Sequence, residues 1–433
     1  MIHTISRKWA LRFQLHVLQY FFRVVRMYQS AFVSGSAGHA LIATALELAS
    51  SKGVASISAR ALAERGGVSP SSVNYHFGSL ENLLRSVSYE ADQSRAAYWR
   101  KLAASLETLS PYESDFVPFV FSAIRSAVTE FSGEEAFFWN DVLLAARTGL
   151  GNERTSAILE ERRFWQSLLK ACGLDRLYPE TLHSFVLAIR FGYLIHRGAA
   201  EFDPWGLALI TQFGARAFSG GRPTDSSIRI RSERELSGMQ AEGRSTHPTA
   251  KAILTATVEL LLQRGAEVVT HRSVAKQANT SVSSVQHFFG ARRTLLEAAF
   301  HEVVRQRLEQ ALPEAPKAGS ISSNDLFPEK PDPARRSILP EFAAIQGLMV
   351  AASLDPQASG VARGMFAQSG TTSEGVLRAL KCPRAAFGRL DAQIFSLTMN
   401  HLRTLEVGSG LGEEELDRKV GINLLTEFFE AQE

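Results

Sequence analysis

A chain of 433 residues with 45% hydrophobic content holds two to four domains of roughly 100–200 residues and is too apolar to be disordered. Its net charge of +3 excludes a chain-wide nucleic-acid-binding surface, so any basic footprint has to be local. The two cysteines, Cys172 and Cys382, exclude a disulfide framework and a CxxC metal site, which makes a reducing cytoplasm the expected compartment, with no metal or cofactor.

Residues 1–38 are a basic extension in which Arg7, Lys8, Arg12, Arg23 and Arg26 occur without an acidic residue, interleaved with Trp9, Leu11, Phe13, Phe21 and Phe22. Charges cut every apolar run below the ~18 residues that a membrane span needs, so no membrane association is expected. Three readings stand: an arm on DNA phosphates, an amphipathic segment packed on the body, or an upstream extension of a protein starting at Met27. The last two together are preferred.

Residues 40–84 and 252–296 align without a gap at a constant offset of 212. They share Ala40, Glu47, Leu48, Gly53, Arg60, Ala63, Ser69, Ser71, Ser72, Val73, Phe77, Gly78, Leu83 and Leu84 with their counterparts. Fourteen ungapped identities mark an internal duplication. It continues weakly: LLAAR (143–147) faces MVAAS (349–353), Cys172 faces Cys382, and FVLAIRFGYLIHRG (185–198) faces FSLTMNHLRTLEVG (395–408).

In copy one, Leu41, Ile42, Ala45, Leu46, Leu48 and Ala49 recur at helical spacing up to Gly53, placed to cap a helix end in the left-handed conformation. Ser58 caps a second helix that ends at Gly66-Gly67. Ser69 followed by Pro70 is the N-cap and first-turn signature of a third, which Gly78 stops, and Ser79 starts a long fourth helix. Two short capped helices around a glycine turn make a helix-turn-helix, whose second helix can enter the major groove.

The run S-x-R-x-L-A-x-x-G-G-V-S followed by V-N-Y-H-F-G-S-x-E-N-L-L resembles the DNA-binding head of the tetracycline-repressor (TetR) family of bacterial regulators, over about 45 residues in each copy. The resemblance implies an all-α protein of two tandem units, each a three-helix head followed by a larger helical domain for ligand binding and dimerisation. The implied divisions are heads at 39–88 and 250–300, helical domains at 89–218 and 301–433, and a Gly/Ser/Pro-rich linker at 219–249. The two units would pack as an intrachain pseudo-dimer, with a homo-oligomer as the alternative. FVLAIRFGYLIHRG and FSLTMNHLRTLEVG would belong to the dimerisation helices. The sequence departs from the family where a lysine usually opens the fourth helix, having Leu80 in copy one and Arg292 in copy two. The usual third-helix tyrosine is Asn74 or Gln286, and Phe288 replaces His76.

The expected partner is a double-stranded DNA operator. On a helix begun at Ser69, the residues Ser71, Ser72, Asn74 and Tyr75 lie toward the end that meets base edges, where Asn suits adenine. Val73 and Phe77 face inward, and His76 is expected to be packed in the core. The corresponding set in copy two is Ser281, Ser283, Ser284, Gln286 and His287. Ser58 and Thr270 cap the second helices, whose amides can meet a phosphate, and Arg60, Arg272 and Arg292 are candidates for the DNA backbone. Electrostatic support is thin. Over 40–90, Lys52, Arg60, Arg65 and Arg85 balance Glu47, Glu64, Glu81 and Glu90, whereas 252–302 has five basic residues against four acidic.

Residues 313–336 are inserted in copy two where copy one has only LSPYESDFVP, and they read as a mobile loop. Residues 89–218 are rich in aromatics. Most of these belong to a core, but the resemblance implies that some line a site for a small apolar or aromatic effector, with Phe138, Trp139, Phe164, Trp165, Phe191 and Tyr193 the candidates. An enzyme is not expected: HExxH, a phosphate loop after a strand and a nucleophile elbow are all missing, and His183 and His196 are spaced too far apart for a metal pair. The rival expectation is an interaction protein whose degenerate heads do not bind DNA specifically.

Overall fold

The structure, a computed structural model, describes residues 37–109, 111–148, 156–197, 199–219, 247–311, 319, 321–327, 339–354, 359–380, 387–409 and 413–429. The readings of residues 1–36, of most of the linker and of Cys382 lie outside the described residues. Among those described, the regular elements are helices, and the one extended feature is an isolated bridge between Ile321 and Leu380. The expected all-α class is met.

The chain divides into two compact units, residues up to 47 with 57–87, and residues 48–56 with 88–433. The first unit holds most of head one. Its helices are α1 (Ala37–Lys52, whose last turn lies in the second unit), α2 (Ala59–Gly66), α3 (Ser71–Phe77) and the start of α4 (Leu80–Leu109). Leu41, Ala45, Ile57, Leu62, Val73, Leu83 and Val87 are buried there. A small head of this kind is held by that apolar set and by its caps, because short helices are marginal alone.

The second unit begins with the remaining helices of copy one: α5 (Phe116–Glu130), α6 (Ser132–Thr148), α7 (Ser156–Ala171), α8 (Pro179–Ile195) and α9 (Phe202–Ser219). Head two follows as α10 (Pro248–Arg264), α11 (His271–Gln277), α12 (Val282–Phe289) and α13 (Arg292–Ala311). The remainder is α14 (Ser323–Leu326), α15 (Leu339–Ser353), α16 (Ser359–Gln368), α17 (Thr371–Arg378), α18 (Arg389–Ser409) and α19 (Glu413–Phe428). Helix α8 is buried along almost its whole length because α18, its counterpart in copy two, lies against it. Ser184 Oγ donates to the Thr398 carbonyl, and the ring of His401 sits 5.3 Å from Phe191. The two segments assigned to dimerisation helices thus meet within one chain. Helices α9 and α19 complete the contact, with Phe213 and Phe428 edge to face at 4.9 Å.

The insertion in copy two is more structured than a mobile loop where it is described. Ser322 caps α14, the Ile321 amide donates to the Ala379 carbonyl at 2.9 Å, and Phe327 lies where a side chain on Gly421 would sit. An aromatic anchor and a backbone pairing hold Ile321–Phe327 to the body.

Candidate nucleic-acid interface

The helix-turn-helix is built the same way in both copies. Ser58 Oγ accepts the Ala61 amide at 3.1 Å at the start of α2, and Thr270 Oγ1 accepts the Ser273 amide at 3.1 Å at the start of α11. In copy two the Thr270 amide also donates to Ser273 Oγ at 2.9 Å, closing a capping box. The turn needs one left-handed residue. Gly67 fills it at φ 62° and Asn279 at φ 50°, and asparagine is among the few side chains that tolerate that region. Glu47 pairs with Arg65 in head one, and Glu259 accepts from Gln277 at 3.0 Å at the matching positions of head two.

The recognition helices differ at their starts. Ser281 caps α12, its Oγ accepting the Ser284 amide at 3.0 Å. The expected cap at Ser69 is not formed: α3 begins at Ser71 after Pro70, without a side-chain cap. The Ser72 amide instead goes to the Ser69 carbonyl at 2.9 Å, and Ser69 Oγ bonds the hydroxyls of Ser71 and Ser72 at 2.7 and 3.1 Å. The same hydroxyl trio recurs in copy two, Ser281 with Ser283 and Ser284 at 2.7 and 2.8 Å.

Beyond this trio, Val73 and Val285 point into their heads, while Asn74, Tyr75, Gln286 and His287 are exposed. Tyr75 is 85% exposed. It stands edge to face with His76 at 4.9 Å, as His287 stands with Phe288 at 5.0 Å. His76 is exposed, contrary to its expected place in the core. Val73 takes the inward position, and among the described residues Tyr75 is the aromatic ring against His76. In copy two, His247 covers Phe288 at 4.8 Å.

The basic candidates divide. Arg60 is exposed but joined to Glu64 at 2.7 Å, while Arg272 is exposed with no ion-pair partner among the described residues. Arg292 turns back onto its own head, donating from Nε to the Val269 carbonyl and from Nη2 to the Ala266 carbonyl, both at 2.6 Å. Two of its five N–H donors therefore lock the turn before α11, and a phosphate can take only the rest.

Of the six aromatic candidates for an effector site, five are buried and Tyr193 is partly exposed. They fall into separate groups: Phe164 and Trp165 around Trp99, Phe138, Trp139 and Phe191 in a chain that reaches His401, and Tyr193 apart on Phe202. Beside the first two groups lies a buried ionic cluster. Arg190 grips Glu161 with Nη1 at 2.7 and 2.5 Å and also holds Glu135, while Arg95 reaches Glu135 and Glu161 at 3.4 and 3.5 Å. Burial alone would raise the Glu161 carboxyl, but Arg190, the neighbouring His183 ring and Arg95 hold it below the usual carboxylate range. Arg95 also lies 4.0 Å from the centre of the Phe138 ring. These charges are far apart in sequence, yet Arg190 inside the apolar run FVLAIRFGYLI was a visible signal that a buried acid must meet it.

Past the end of α8, Arg197 donates to the Ser50 carbonyl at 2.6 Å, and burial lowers its guanidinium to about 10. Ser50 Oγ also meets Ser132 Oγ at 2.8 Å. The final turn of α1 is thereby joined to α6 and to the end of α8. Among the described residues no helix is long and apolar enough to cross a membrane, and no His/Cys/Asp/Glu group could hold a metal ion.

In comparison with protein families, the family described as "Bacterial regulatory proteins, tetR family" matches residues 41–87 and residues 253–299. A search of curated proteins finds no match.

Proposed function

We propose that the chain, whose two heads match the tetR family of bacterial regulatory proteins, is a DNA-binding transcriptional regulator of two tandem TetR-like units, a ligand-released repressor whose two unlike heads read one operator. The observation that carries this reading is the pair of sets, Ser71, Ser72, Asn74 and Tyr75 against Ser283, Ser284, Gln286 and His287, exposed except for the half-buried Ser72 and Ser284, on turns of the same design. Hydroxyls serve phosphates and amide side chains read adenine edges, so sets that differ at two positions call for different half-sites. The family and the exposed aromatic on each recognition helix support regulation over catalysis.

The effector is a small apolar or aromatic molecule bound in 89–218 among Phe138, Trp139 and Phe191, with Phe164, Trp165 and Tyr193 as further candidates. It acts by parting packed rings over the ionic cluster. A shift of α8 there pulls on Arg197 and the Ser50 carbonyl, the end of the first head's opening helix. Coupling of this kind is typically about 1–3 kcal/mol, or roughly 5–150-fold in DNA affinity.

Gel shift against a selected operator at low and at physiological salt tests the reading. Retained specific binding that weakens with salt, and weakens again when an aromatic compound raises the melting temperature, is the expected result. Equal affinity for operator and unrelated DNA would leave an interaction protein with degenerate heads.

A further inference from the structure

The surface joining the two copies holds a second difference between them. At the start of α18, Asp391 is fully buried and is gripped from copy one by Arg216, with Nε to Oδ1 and Nη2 to Oδ2 both at 2.8 Å, while Gln212 Nε2 adds a third bond at 2.8 Å. A bidentate pair with an extra donor is the geometry in which a buried charge pair is tolerated.

The equivalent place on the other side of the contact is different. Helices α8 and α18 correspond at an offset of 210, so Thr181 stands where Asp391 stands. Helices α9 and α19 share their pattern of buried positions at an offset of 211: Trp205, Leu209, Ile210, Phe213 and Ala217 match Leu416, Val420, Gly421, Leu424 and Phe428. That register sets Asn423 against Gln212 and Glu427 against Arg216. The contacts obey it. Asn423 Oδ1 accepts from Thr181 Oγ1 at 3.1 Å and from the Tyr178 amide at 2.8 Å, and Glu427 pairs with Arg176 at 2.7 Å. One side of the contact is a buried ion pair. The other is a neutral amide site with its charge pair at the rim, Arg176 being 46% exposed.

From this arrangement we infer that the joining surface accepts only one copy of each kind. Two copies of the first kind would bring Arg216 against Thr181 and Arg176, a buried cation without its acid and beside a like charge. Two copies of the second kind would bring Asp391 against Asn423 and Glu427, two acids together. A buried charge that has lost its partner is strongly destabilising, and rejection of the wrong partner through such charges is how paired surfaces become selective. The duplication has thereby become irreversible: each half requires the other, and a second copy of itself does not fit. This holds whether or not the heads bind DNA.

The test uses the full chain with a protease site inserted between residues 220 and 246 and cleaved after folding. Native mass spectrometry should show each copy-one half with one copy-two half, in at least ~100-fold excess over particles of two like halves, since like-charge juxtaposition costs several kcal/mol. The uncharged variant Arg216→Met with Asp391→Asn should let the halves re-assort into like pairs. The exchanged variant Arg216→Asp with Asp391→Arg keeps opposite charges across the unlike contact but also sets opposite charges against Arg176 and Glu427 in like pairs, so it too should lose the selectivity. Like pairs in abundance from the cleaved natural protein, or unchanged selectivity in the uncharged variant, would overturn the inference. Should the uncharged variant fail to fold, the natural and exchanged proteins still decide, because like pairs from the natural protein, or undiminished selectivity in the exchanged one, contradict it.

Discussion

Head one and head two differ where they face solvent and agree where they face themselves. Both keep the capped second helix, the left-handed turn residue and the inward valine, each fixed by a backbone or packing demand of the fold, and both keep the serine trio. Asn74 and Tyr75 have become Gln286 and His287 on surfaces where the fold asks nothing. Exposed residues that change while their scaffold is held fixed are released from sharing one target, which is what joining two heads in one chain permits. In a homodimer, symmetry gives both heads the same residues and a palindromic site.

The largest effect expected from breaking the comparison is on DNA. Asn74→Ala with Tyr75→Ala should weaken one half-site, and Gln286→Ala with His287→Ala the other, each by roughly 1–3 kcal/mol per lost base contact, or about tenfold to a hundredfold or more in affinity. Footprints of the two double variants should fade at opposite ends. Identical footprints would mean that the unlike residues do not read the DNA.

A second comparison concerns Phe191 and His401, equivalent positions that touch one another and Trp139. Burial lowers the His401 pKa from 6.5 to about 4, against a weaker opposing effect of the Leu397 carbonyl, which bonds Nδ1 at 2.9 Å. Below about pH 6.5 the unfolded chain takes up a proton that the buried ring refuses, so stability falls as the pH drops toward 4. The ring's share is up to roughly 3 kcal/mol at 1.36 kcal/mol per pKa unit. His401→Phe makes the two copies alike there, and thermal melts from pH 7 to pH 4.5 should show a shallower decline than in the natural protein. His196, also lowered to about 4 by burial, keeps part of the slope in both.

Much of this was legible in the sequence, for identifiable reasons. Ser58, Thr270, Gly53, Gly67 and Gly78 are local signals: a cap or a left-handed turn is decided by a few neighbouring residues, and all five act as read. The segments FVLAIRFGYLIHRG and FSLTMNHLRTLEVG were found through the duplication, and they meet. What escaped depends on tertiary neighbours. The exposure of His76 turns on what covers a short helix, and Arg292 on two carbonyls 23 and 26 residues back. The Arg95, Glu135, Glu161 and Arg190 cluster draws on four helices, as no periodic pattern can announce.

A smaller effect sharpens the comparison of the two turns. A Cβ on Gly67 meets nothing within 4 Å, so its only demand is φ 62°. Gly67→Asn, which copies Asn279, should then cost less than about 1 kcal/mol, while Gly67→Val should cost roughly 1–2 kcal/mol from the backbone alone. Denaturant melts of the two variants give the difference. The caps should follow at about 1 kcal/mol each for Ser58→Ala and Thr270→Ala, the second being larger because it also opens the capping box.

The central claim is that one chain, with two unlike heads, reads one site. Native mass spectrometry of the full-length protein on its selected operator, paired with a footprint of the same complex, measures this directly. One chain on one non-palindromic site with two unlike halves is the predicted result. Two chains on a palindrome, or on four half-sites, would contradict it.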